Sequence, residues 1–293
     1  MTGKICLVTG ATSGLGAAMA LLLAGQGATV IGVGRDPKRC IRGVDRTKAA
    51  TGNPSVEFLR ADLSVQSEIG ELARQIKKRH ERLDVLINNA GARFSRRLVS
   101  ADGLEMTFAL NHLGYFLLTC LLLDELKRSG HGRIINIASA AHRSCPGIRF
   151  EDLQGGQGYD GKEAYAQSKL ANLLFTYELD RQLRGTGVTA NAVDPGNVAS
   201  GFSRNNGVIS WARHLFGSLR SGGLSGPRQA AKTGVYLASS PEVQGLSGNY
   251  YYRKRIVNSS AVSYDADLAR RLWRVSLELV LPGSLPNHHT ERE

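Results

Sequence analysis

A tyrosine and a lysine stand four residues apart, at Tyr165 and Lys169, in a segment whose pattern predicts a long helix. A spacing of four residues places two side chains on the same helix face, one turn apart. A phenol has an ordinary pKa of about 10, so it is a poor acid or base near neutral pH. A neighbouring cation favours the phenolate and lowers that pKa. The pair therefore predicts a tyrosine that transfers protons, although one such pair on a helix is common by chance.

Glycines at Gly10, Gly14 and Gly16 form a second pattern, within the segment Thr9–Gly16 between the first predicted strand and the first predicted helix. Such glycines permit a sharp turn and a close approach of the backbone to a pyrophosphate. The N–H groups and the dipole at the following helix N-terminus attract phosphate. A glycine-rich turn without a ligand is the alternative. The position at the first strand–helix junction favours dinucleotide binding.

The end of the second predicted strand bears on which dinucleotide binds. An acidic residue there holds the ribose 2′-hydroxyl, whereas an arginine accommodates a 2′-phosphate. Gly34 stands where the acidic residue is expected, Arg35 follows it, and residues 35–48 contain six basic and two acidic side chains, a local charge of +4. This pattern favours NADP(H) over NAD(H). Two alternatives remain: a solvated basic helix face, or Asp36 binding a 2′-hydroxyl if the strand ends one residue later.

Strand-like and helix-like segments alternate along the chain. The strand-like runs are Lys4–Thr9, Thr29–Val33, Val56–Leu59, Asp84–Ile87, Arg133–Ala138, Val188–Val193 and Tyr250–Tyr252. The helix-like stretches begin at Leu15 and Pro37, include the stripe Ile69–Ile76, and continue with Leu104–Leu126, Glu163–Arg184, Pro227–Ala238 and Asp265–Val280. Short, continuously apolar strands are buried on both faces, as in a parallel sheet. We therefore predict an α/β protein with a single-domain Rossmann fold, a doubly wound parallel sheet with helices on both faces.

This domain is predicted to span residues 1–281, followed by a polar tail over 282–293. The stretch 201–226 interrupts the alternation, because it is rich in Gly and Ser yet contains Trp211 and Phe216. Loops of that length in compact domains are usually lids, binding loops or disordered. Large apolar side chains in a loop of this composition favour a substrate lid over a passive linker. They also predict a lipophilic substrate.

Charge and cysteine content restrict the partners. The 293 residues carry a formal charge of +12, which suits an anionic small ligand, a nucleic acid or an acidic membrane surface. No basic recognition helix or stacking motif accompanies the charge, so we expect no nucleic-acid partner. No apolar run reaches the ~20 residues of a membrane span. The four cysteines are too scattered for a zinc site or a redox pair, which indicates free thiols in a cytoplasmic protein: Cys6, Cys40, Cys120 and Cys145.

Seven segments match, in order, the pattern of the short-chain dehydrogenase/reductase family: Thr9–Gly16, Asp62-Leu63, Asn88–Gly91, Asn111, Ser139, Tyr165-x-x-x-Lys169 and Pro195-Gly196. The chain resembles that family over nearly its whole length. Within the family it is similar to the retinol dehydrogenase branch through five further segments: Asn111–Gly114, Ala141-His142, Phe150–Gln154, Ser168–Phe175 and Arg270–Trp273. The resemblance implies the Rossmann fold and a nicotinamide cofactor.

The resemblance also implies a role for each of four catalytic residues. Tyr165 would protonate the carbonyl oxygen during reduction or deprotonate the alcohol during oxidation, and Lys169 would hold the nicotinamide ribose and lower the pKa of Tyr165. Ser139 would hydrogen-bond the substrate oxygen and the tyrosine. Asn111 would anchor a water in a proton relay to Lys169. His142 receives no role, since the tyrosine mechanism needs no histidine.

Cofactor contacts follow from the same resemblance. Asp62 would meet the adenine edge, Asn89-Ala90-Gly91 would lie along the cofactor, and the loop after Pro195-Gly196 would meet the nicotinamide amide. Ser200 stands near the position where the family often has a threonine for that contact. The full predicted cofactor-binding set is Gly10, Ser13, Gly14, Leu15, Gly16, Arg35, Asp62, Leu63, Asn89, Ala90, Gly91, Tyr165, Lys169, Pro195, Gly196, Val198 and Ser200.

These patterns predict an NADP(H)-dependent oxidoreductase that transfers a hydride between nicotinamide and a lipophilic ketone, aldehyde or secondary alcohol by a Ser-Tyr-Lys mechanism. Two alternatives stay open: a biosynthetic reductase or oxidase of a polycyclic natural product or an imine, and a non-catalytic NADP-sensing protein. Membrane-bound members of the retinol branch carry an N-terminal hydrophobic anchor. The first strand here begins at Lys4, so we expect no anchor. Homo-oligomerisation is a further expectation from the family.

Overall fold

The computed structural model describes residues 1–198 and 226–280, and its centre is an eight-stranded sheet with the order β3-β2-β1-β4-β5-β6-β7-β8. The strands are β1 (Ile5–Thr9), β2 (Thr29–Gly34), β3 (Val56–Arg60), β4 (Val85–Asn88), β5 (Arg133–Ile137), β6 (Thr189–Asp194), β7 (Tyr250–Tyr252) and β8 (Arg255–Ile256). The first seven pair in parallel, and β8 pairs antiparallel with β7. The seven predicted strands are present with ends within one residue of the prediction, whereas β8 was not predicted.

Helices cover both faces of the sheet. They are α1 (Gly14–Gly25), α2 (Pro37–Thr51), α3 (Gln66–Arg79), α4 (Gly114–Leu121), α5 (Leu123–Arg128), α6 (Gly161–Gln182), α7 (Pro227–Ser239) and α8 (Ala266–Val280). In β1, Leu7 packs in one apolar cluster with Leu170 of α6, while Cys6 and Val8 pack in a second cluster with Met19 of α1. Alternate residues of a strand point to opposite faces, so both faces are apolar. The predicted α/β Rossmann fold is confirmed.

The predicted helix Leu104–Leu126 was wrong as a single element. Helical structure begins with a short turn at Met106–Phe108, because the buried Glu105 carboxylate accepts hydrogen bonds from the Thr107 and Phe108 N–H groups at 2.8 and 2.7 Å. A π-helix follows over Ala109–Leu113, and then α4. The last break falls at Leu122, which has a φ of −106° between α4 and α5. The π-helix is a wider turn, of a kind often found at functional sites, and it contains Asn111.

The predicted site lies at one edge of the sheet, at the carboxyl ends of the strands. The chain leaves β1 toward β2 and β3 on one side, and β4 to β6 lie on the other, so the strand order reverses between β1 and β4. Ligands of open α/β sheets bind at the carboxyl ends of the strands, at such a reversal. The predicted site residues follow the carboxyl ends of β1 to β6 or lie on the helical segments beside them.

Several predictions fall on residues outside the described ranges. They are Ser200, the polar tail, and the proposed lid 201–226 except Gly226. Among the described residues, no helix is both long and apolar enough to span a membrane. The same residues contain no cluster of three or more side chains suited to hold a metal ion.

Candidate active site

Tyr165 and Lys169 lie in the first turns of α6, whose start is set by Asp160 and Gly161. The Asp160 carboxylate accepts hydrogen bonds from two backbone N–H groups of the first turn, which is the usual N-cap geometry. A Cβ on Gly161 would lie 1.9 Å from the carbonyl oxygen of Phe94, so only glycine allows this approach. The Lys169 Nζ lies 5.7 Å from the centroid of the Tyr165 ring. The predicted one-turn spacing therefore holds in three dimensions.

Ser139 follows β5 and reaches the tyrosine. Its hydroxyl hydrogen-bonds the Tyr165 phenol and accepts the Ala141 N–H at 3.2 Å. Burial raises the pKa of Tyr165 to about 12, while the hydrogen bond to Ser139 and the charge of Arg93 act in the opposite direction. In the chain alone, burial of the phenol outweighs these two opposing contributions, and the lowering of the pKa by Lys169 stays a prediction. At neutral pH this phenol is protonated.

Lys169 is almost completely buried, with 2% of its surface exposed. Its Nζ donates a hydrogen bond to the Ile137 carbonyl at 2.8 Å, and the Asn172 Nδ2 donates to the same oxygen at 3.2 Å. Burial lowers the pKa of Lys169 from 10.5 to about 7, and the Asp194 carboxylate partly offsets that effect. The charge of this lysine therefore changes within the neutral pH range.

Asn111 clamps the backbone that follows β4. Its Oδ1 accepts the Ala92 N–H at 2.9 Å, and its Nδ2 donates to the Ala92 carbonyl at 2.9 Å and to the Ser168 hydroxyl at 3.0 Å. A Cβ on Gly91 would lie 3.1 Å from Asn111 Oδ1 and 3.8 Å from Lys169 Nζ. The structure thus brings Asn111 and Lys169 to the same glycine. The amide itself is bonded to protein groups, and the water relay stays a prediction.

The glycine turn after β1 is joined to the Asn89-Ala90-Gly91 segment. Thr9 Oγ1 accepts the N–H groups of Asn89 and Ala90 at 2.7 and 3.0 Å, and Asn89 Nδ2 donates to the Thr9 carbonyl at 2.7 Å. Gly10 has a φ of +66°, and a Cβ on Gly16 would lie 2.4 Å from the Gly10 carbonyl oxygen. The two predicted cofactor-binding segments therefore form one surface with no room for side chains at these glycines.

The start of α1 offers backbone donors to an anion. Gly14 is the first helical residue and has a φ of +55°. Ser13 is the N-cap but its side chain makes no capping hydrogen bond, and Leu15 is half-buried. The first N–H groups of a helix have no partner within the helix. An uncapped helix start behind a glycine turn fits a phosphate.

The end of β2 bears on the two interpretations of Arg35 and Asp36, and it lies one residue later than predicted, as the Asp36 alternative requires. The strand ends at Gly34, where a Cβ would lie 2.3 Å from Thr12 Cγ2 and 3.2 Å from Cys40 Sγ. A larger residue, including an aspartate, has no room there. Asp36 is the N-cap of α2 and accepts the N–H three residues ahead at 3.2 Å. Arg35 is exposed at this edge.

The segment after β3 places Asp62 and Leu63 in a tight turn. Asp62 Oδ1 accepts the Ser64 N–H at 3.0 Å and the Ser64 hydroxyl at 2.7 Å. The Leu63 carbonyl lies against Gly114, where a Cβ would be 2.5 Å from that oxygen. These contacts hold the turn beside the start of α4. The predicted contact of Asp62 with adenine stays a prediction.

Asp194 organises the turn at Pro195-Gly196. Its Oδ1 accepts the Gly196 N–H at 2.9 Å, and its Oδ2 accepts the Tyr250 hydroxyl at 3.1 Å. Gly196 has a φ of +70°, and a Cβ there would lie 3.3 Å from the Tyr252 ring. Val198 is half-buried and is the last residue of the first described range, 1–198. Asp194 therefore holds the turn that carries Pro195 and Gly196.

Four side chains that matter to this geometry were absent from the predicted site. Thr9 is the first residue of the glycine motif and Asp194 directly precedes Pro195-Gly196, so their positions were a usable signal. Arg93 follows Gly91 by two residues, and its charge lowers the pKa of Tyr165. His142 received no role in the mechanism implied by the resemblance. It is fully buried, and its Nδ1 lies 2.6 Å from the Ser139 carbonyl oxygen.

Comparisons with known proteins give the family context of this site. Residues 4–207 match the family model described as short chain dehydrogenase. Retinol dehydrogenase 13 of Mus musculus is 41% identical over 281 residues, an overlap that covers 95% of this chain and 84% of the mouse protein. The match therefore extends over nearly the whole chain.

Solved structures share the fold. A crystal structure of an uncharacterised protein from Mycobacterium paratuberculosis has a TM-score of 0.75 and 32% identity, and the match covers 95% of this chain and 94% of that one. The RhlG protein of Pseudomonas aeruginosa, in an active-site complex with NADP, has a TM-score of 0.69 and 28% identity, with 85% and 94% covered. The architecture around the candidate site therefore recurs in a protein that binds NADP.

Proposed function

The chain belongs to the short-chain dehydrogenase family, in its retinol dehydrogenase-like branch, and is an oxidoreductase acting on CH–OH groups. From that premise we propose that it transfers a hydride between NADP(H) and a lipophilic ketone, aldehyde or secondary alcohol by a Ser-Tyr-Lys mechanism. The observation that carries the proposal is the hydrogen bond between Ser139 and Tyr165, with the Lys169 ammonium one helical turn away.

The residues present fit a dinucleotide. The surface formed by Gly10 and Gly16 leaves no space for side chains, and the α1 start beside it has no side-chain cap. We assign the pyrophosphate to this turn, the adenosine half to the turns after β2 and β3, and the nicotinamide half to Lys169 and the Pro195-Gly196 turn. When bound, the nicotinamide supplies or accepts the hydride.

The side chains of the site transfer the proton to and from the substrate oxygen. In reduction, the Tyr165 hydroxyl donates its proton to the carbonyl oxygen as the hydride adds to the carbonyl carbon, and the raised pKa keeps this proton in place at neutral pH. The Ser139 hydroxyl donates a hydrogen bond to the same oxygen as negative charge develops on it. In oxidation, the phenolate accepts the alcohol proton, and a charged Lys169 stabilises that anion.

The preference for NADP(H) is supported by the end of β2. Gly34 has no room for the carboxylate that would bind a 2′-hydroxyl, and the Asp36 carboxylate caps α2. Arg35 is exposed at the same edge, followed by the basic residues of α2. An arginine guanidinium binds phosphate with paired, charge-assisted hydrogen bonds. We therefore assign the 2′-phosphate to Arg35.

The lipophilic substrate is supported by a relative named as a retinol dehydrogenase, since retinol is an apolar alcohol. The lid residues Trp211 and Phe216, on which the sequence prediction depended, lie outside the described ranges. A cytoplasmic location and homo-oligomerisation are likewise proposals, which cell fractionation and sedimentation would test. The extents of the domain and of the polar tail also stay predictions.

The test is turnover with a panel of carbonyls and alcohols, followed as NADPH absorbance. Tyr165→Phe is expected to lower kcat by 10² to 10⁴-fold, roughly what acid–base catalysis contributes, while NADPH affinity changes less than threefold. Tyr236→Phe, on α7, serves as the matched control. Turnover retained by Tyr165→Phe would reject the mechanism. A wild-type protein that binds NADPH without turning over any substrate would favour the sensing alternative, and turnover confined to imines or polycyclic ketones would favour the biosynthetic one.

A further inference from the structure

His142 is a buried histidine beside the site, and both of its ring nitrogens have backbone partners. Its Nδ1 lies 2.6 Å from the Ser139 carbonyl oxygen, and the Ser260 N–H donates to its Nε2 at 3.0 Å. The residue has no exposed surface. A side chain that is buried and bonded at both nitrogens is held in one orientation.

The two partners determine the tautomer of the ring. A carbonyl oxygen can only accept, so the His142 Nδ1 carries a proton, and a backbone N–H can only donate, so Nε2 carries none. The ring is therefore neutral. A proton added to Nε2 would face the Ser260 N–H, so the hydrogen bond between Ser260 and His142 would be lost. Burial lowers the pKa of His142 below its ordinary 6.5, in agreement with this arrangement.

The first partner is the residue whose hydroxyl reaches the tyrosine. The Ser139 carbonyl accepts both the ring Nδ1–H and the backbone N–H of His142, the latter at 3.2 Å. Ser139 has extended dihedral angles, φ −172° and ψ 152°, at the start of the short 3₁₀ turn 140–144. Because the hydroxyl and the carbonyl belong to one residue, holding the carbonyl also holds the direction of the hydroxyl.

The second partner connects this turn to other parts of the chain. Ser260 lies between β8 and α8, 118 positions from His142 in the sequence. The ring of Tyr250 on β7 stands nearly perpendicular to the His142 ring, with 5.3 Å between centroids, and its hydroxyl donates to Asp194. His142 thus lies between Ser139 and the turn that Asp194 organises.

Within residues 1–198 and 226–280, the charged groups that act on the ring come from two elements. Arg143, in the same 3₁₀ turn, disfavours a proton on His142, and Asp194 at the end of β6 favours one. Arg143 also donates to the Asn258 carbonyl, beside the segment that holds Ser260. The hydroxyl of Tyr250 already binds the Asp194 carboxylate. Burial therefore decides the charge state, and the ring is neutral.

We propose that His142 is a positioning residue for the reaction: its neutral ring, bonded through Nδ1 to the Ser139 carbonyl, holds the serine hydroxyl on Tyr165, and its Nε2 ties this turn to Ser260. The proposal rests on the proposed function, since it assigns His142 the task of orienting the catalytic serine. It differs from a purely structural role, because the Nδ1 contact matters for turnover while the Nε2 contact matters for stability.

Two near-isosteric variants separate the contacts. The amide nitrogen of asparagine reaches the position of a histidine Nδ1, so His142→Asn keeps the donor to Ser139 and loses the acceptor for Ser260. The amide oxygen of glutamine reaches the position of Nε2, so His142→Gln keeps the acceptor and loses the donor. We expect His142→Asn to retain kcat within threefold with a lower Tm. We expect His142→Gln to lower kcat at least tenfold, with NADPH affinity within threefold. Equal kcat losses in the two variants would overturn the proposal.

A double-mutant cycle with the serine gives the second readout. In a Ser139→Ala background, His142→Gln is expected to lower kcat by less than twofold, because there is no hydroxyl left to position. An undiminished tenfold loss there would show that His142 acts elsewhere. If Ser139→Ala alone leaves kcat unchanged, the proposed function fails, and that outcome is distinct from failure of the His142 proposal.

The tautomer can be measured in the wild-type protein without any variant having to turn over. Nitrogen-15 NMR of histidine-labelled protein should show one ring, absent from the spectrum of His142→Asn, that is protonated at Nδ1 and titrates at a lower pH than an ordinary histidine. A ring protonated at Nε2, or one that titrates at its ordinary pKa of about 6.5, would reject the proposed contacts.

Discussion

The Cγ2 methyl of Thr12 occupies the space that a side chain at Gly34 would need, since a Cβ there would lie only 2.3 Å from it. One residue belongs to the glycine turn after β1 and the other ends β2, so this contact brings together the two segments that we assign to the cofactor. The absence of an acidic residue at position 34 is therefore a packing requirement of the turn.

Gly34→Ala should lower the free energy of unfolding by about 1–3 kcal/mol, the usual cost of overpacking. Thr12→Ala combined with Gly34→Ala should recover part of that loss, because the nearest atom is removed and Cys40 Sγ at 3.2 Å remains. Chemical unfolding of both single variants and the double variant measures the effect. Additive losses in the double variant would show that Thr12 is not what excludes a side chain at position 34.

Arg35→Ala should raise the Kd for NADPH by roughly 10–100-fold, since a hydrogen bond between charged groups contributes about 1.5–3 kcal/mol. The Kd for NADH should change by less than about twofold, because NADH has no 2′-phosphate. Titration calorimetry with both cofactors measures this difference. Arg42→Ala, which removes another exposed base on α2, is the matched control. Equal losses of affinity for NADPH and NADH in Arg35→Ala would contradict the assignment of the 2′-phosphate to Arg35.

Asp194→Asn should move both limbs of the pH profile of alcohol oxidation toward lower pH. The Asp194 charge raises the pKa of Lys169 and of Tyr165, so its loss lowers both. The active form pairs a phenolate with an ammonium, which means that activity begins and ends at lower pH in the variant. Asparagine retains an acceptor for the Gly196 N–H. The profile of kcat/KM against pH measures the shift, and movement toward higher pH would contradict the electrostatic role of Asp194.

His112 should reduce stability in acid. Burial lowers the pKa of this histidine from 6.5 to about 3, so the unfolded chain binds its proton below pH 6.5 and the folded chain does not. The contribution to stability is complete above pH 6.5 and declines as the pH falls toward 3, by at most about 1.4 kcal/mol per pH unit.

His112→Phe removes this titration and fits the rings of Phe108, Phe116 and Phe175 around it. The free energy of unfolding of this variant should therefore depend less on pH between 6.5 and 4 than that of the wild type. His131→Gln, at an exposed position, is the control. The same slope in His112→Phe and in the wild type would show that His112 is not responsible.

Local pattern was sufficient to predict the seven parallel strands, the glycine turn and the pairing of Tyr165 with Lys169. In each case the signal is contained in a few neighbouring residues, because strand burial, turn geometry and helix spacing repeat over two to four positions. The strand ends followed within one residue. Those ends place the motifs at one edge of the sheet, so the sequence alone also indicated where the site lies.

The tertiary structure decided the contacts that adjust the site. The pKa of Tyr165 depends on burial by distant segments, the Lys169 ammonium is held by the Ile137 carbonyl 32 residues earlier, and His142 is held by Ser260 118 residues later. The π-helix around Asn111 and the missing space at Gly34 arise in the same way. Spacing along the chain determines which groups are present and on which side of an element. Packing between elements far apart in the sequence determines which of them are buried, charged or bonded, because desolvation and hydrogen bonding depend on neighbours in space.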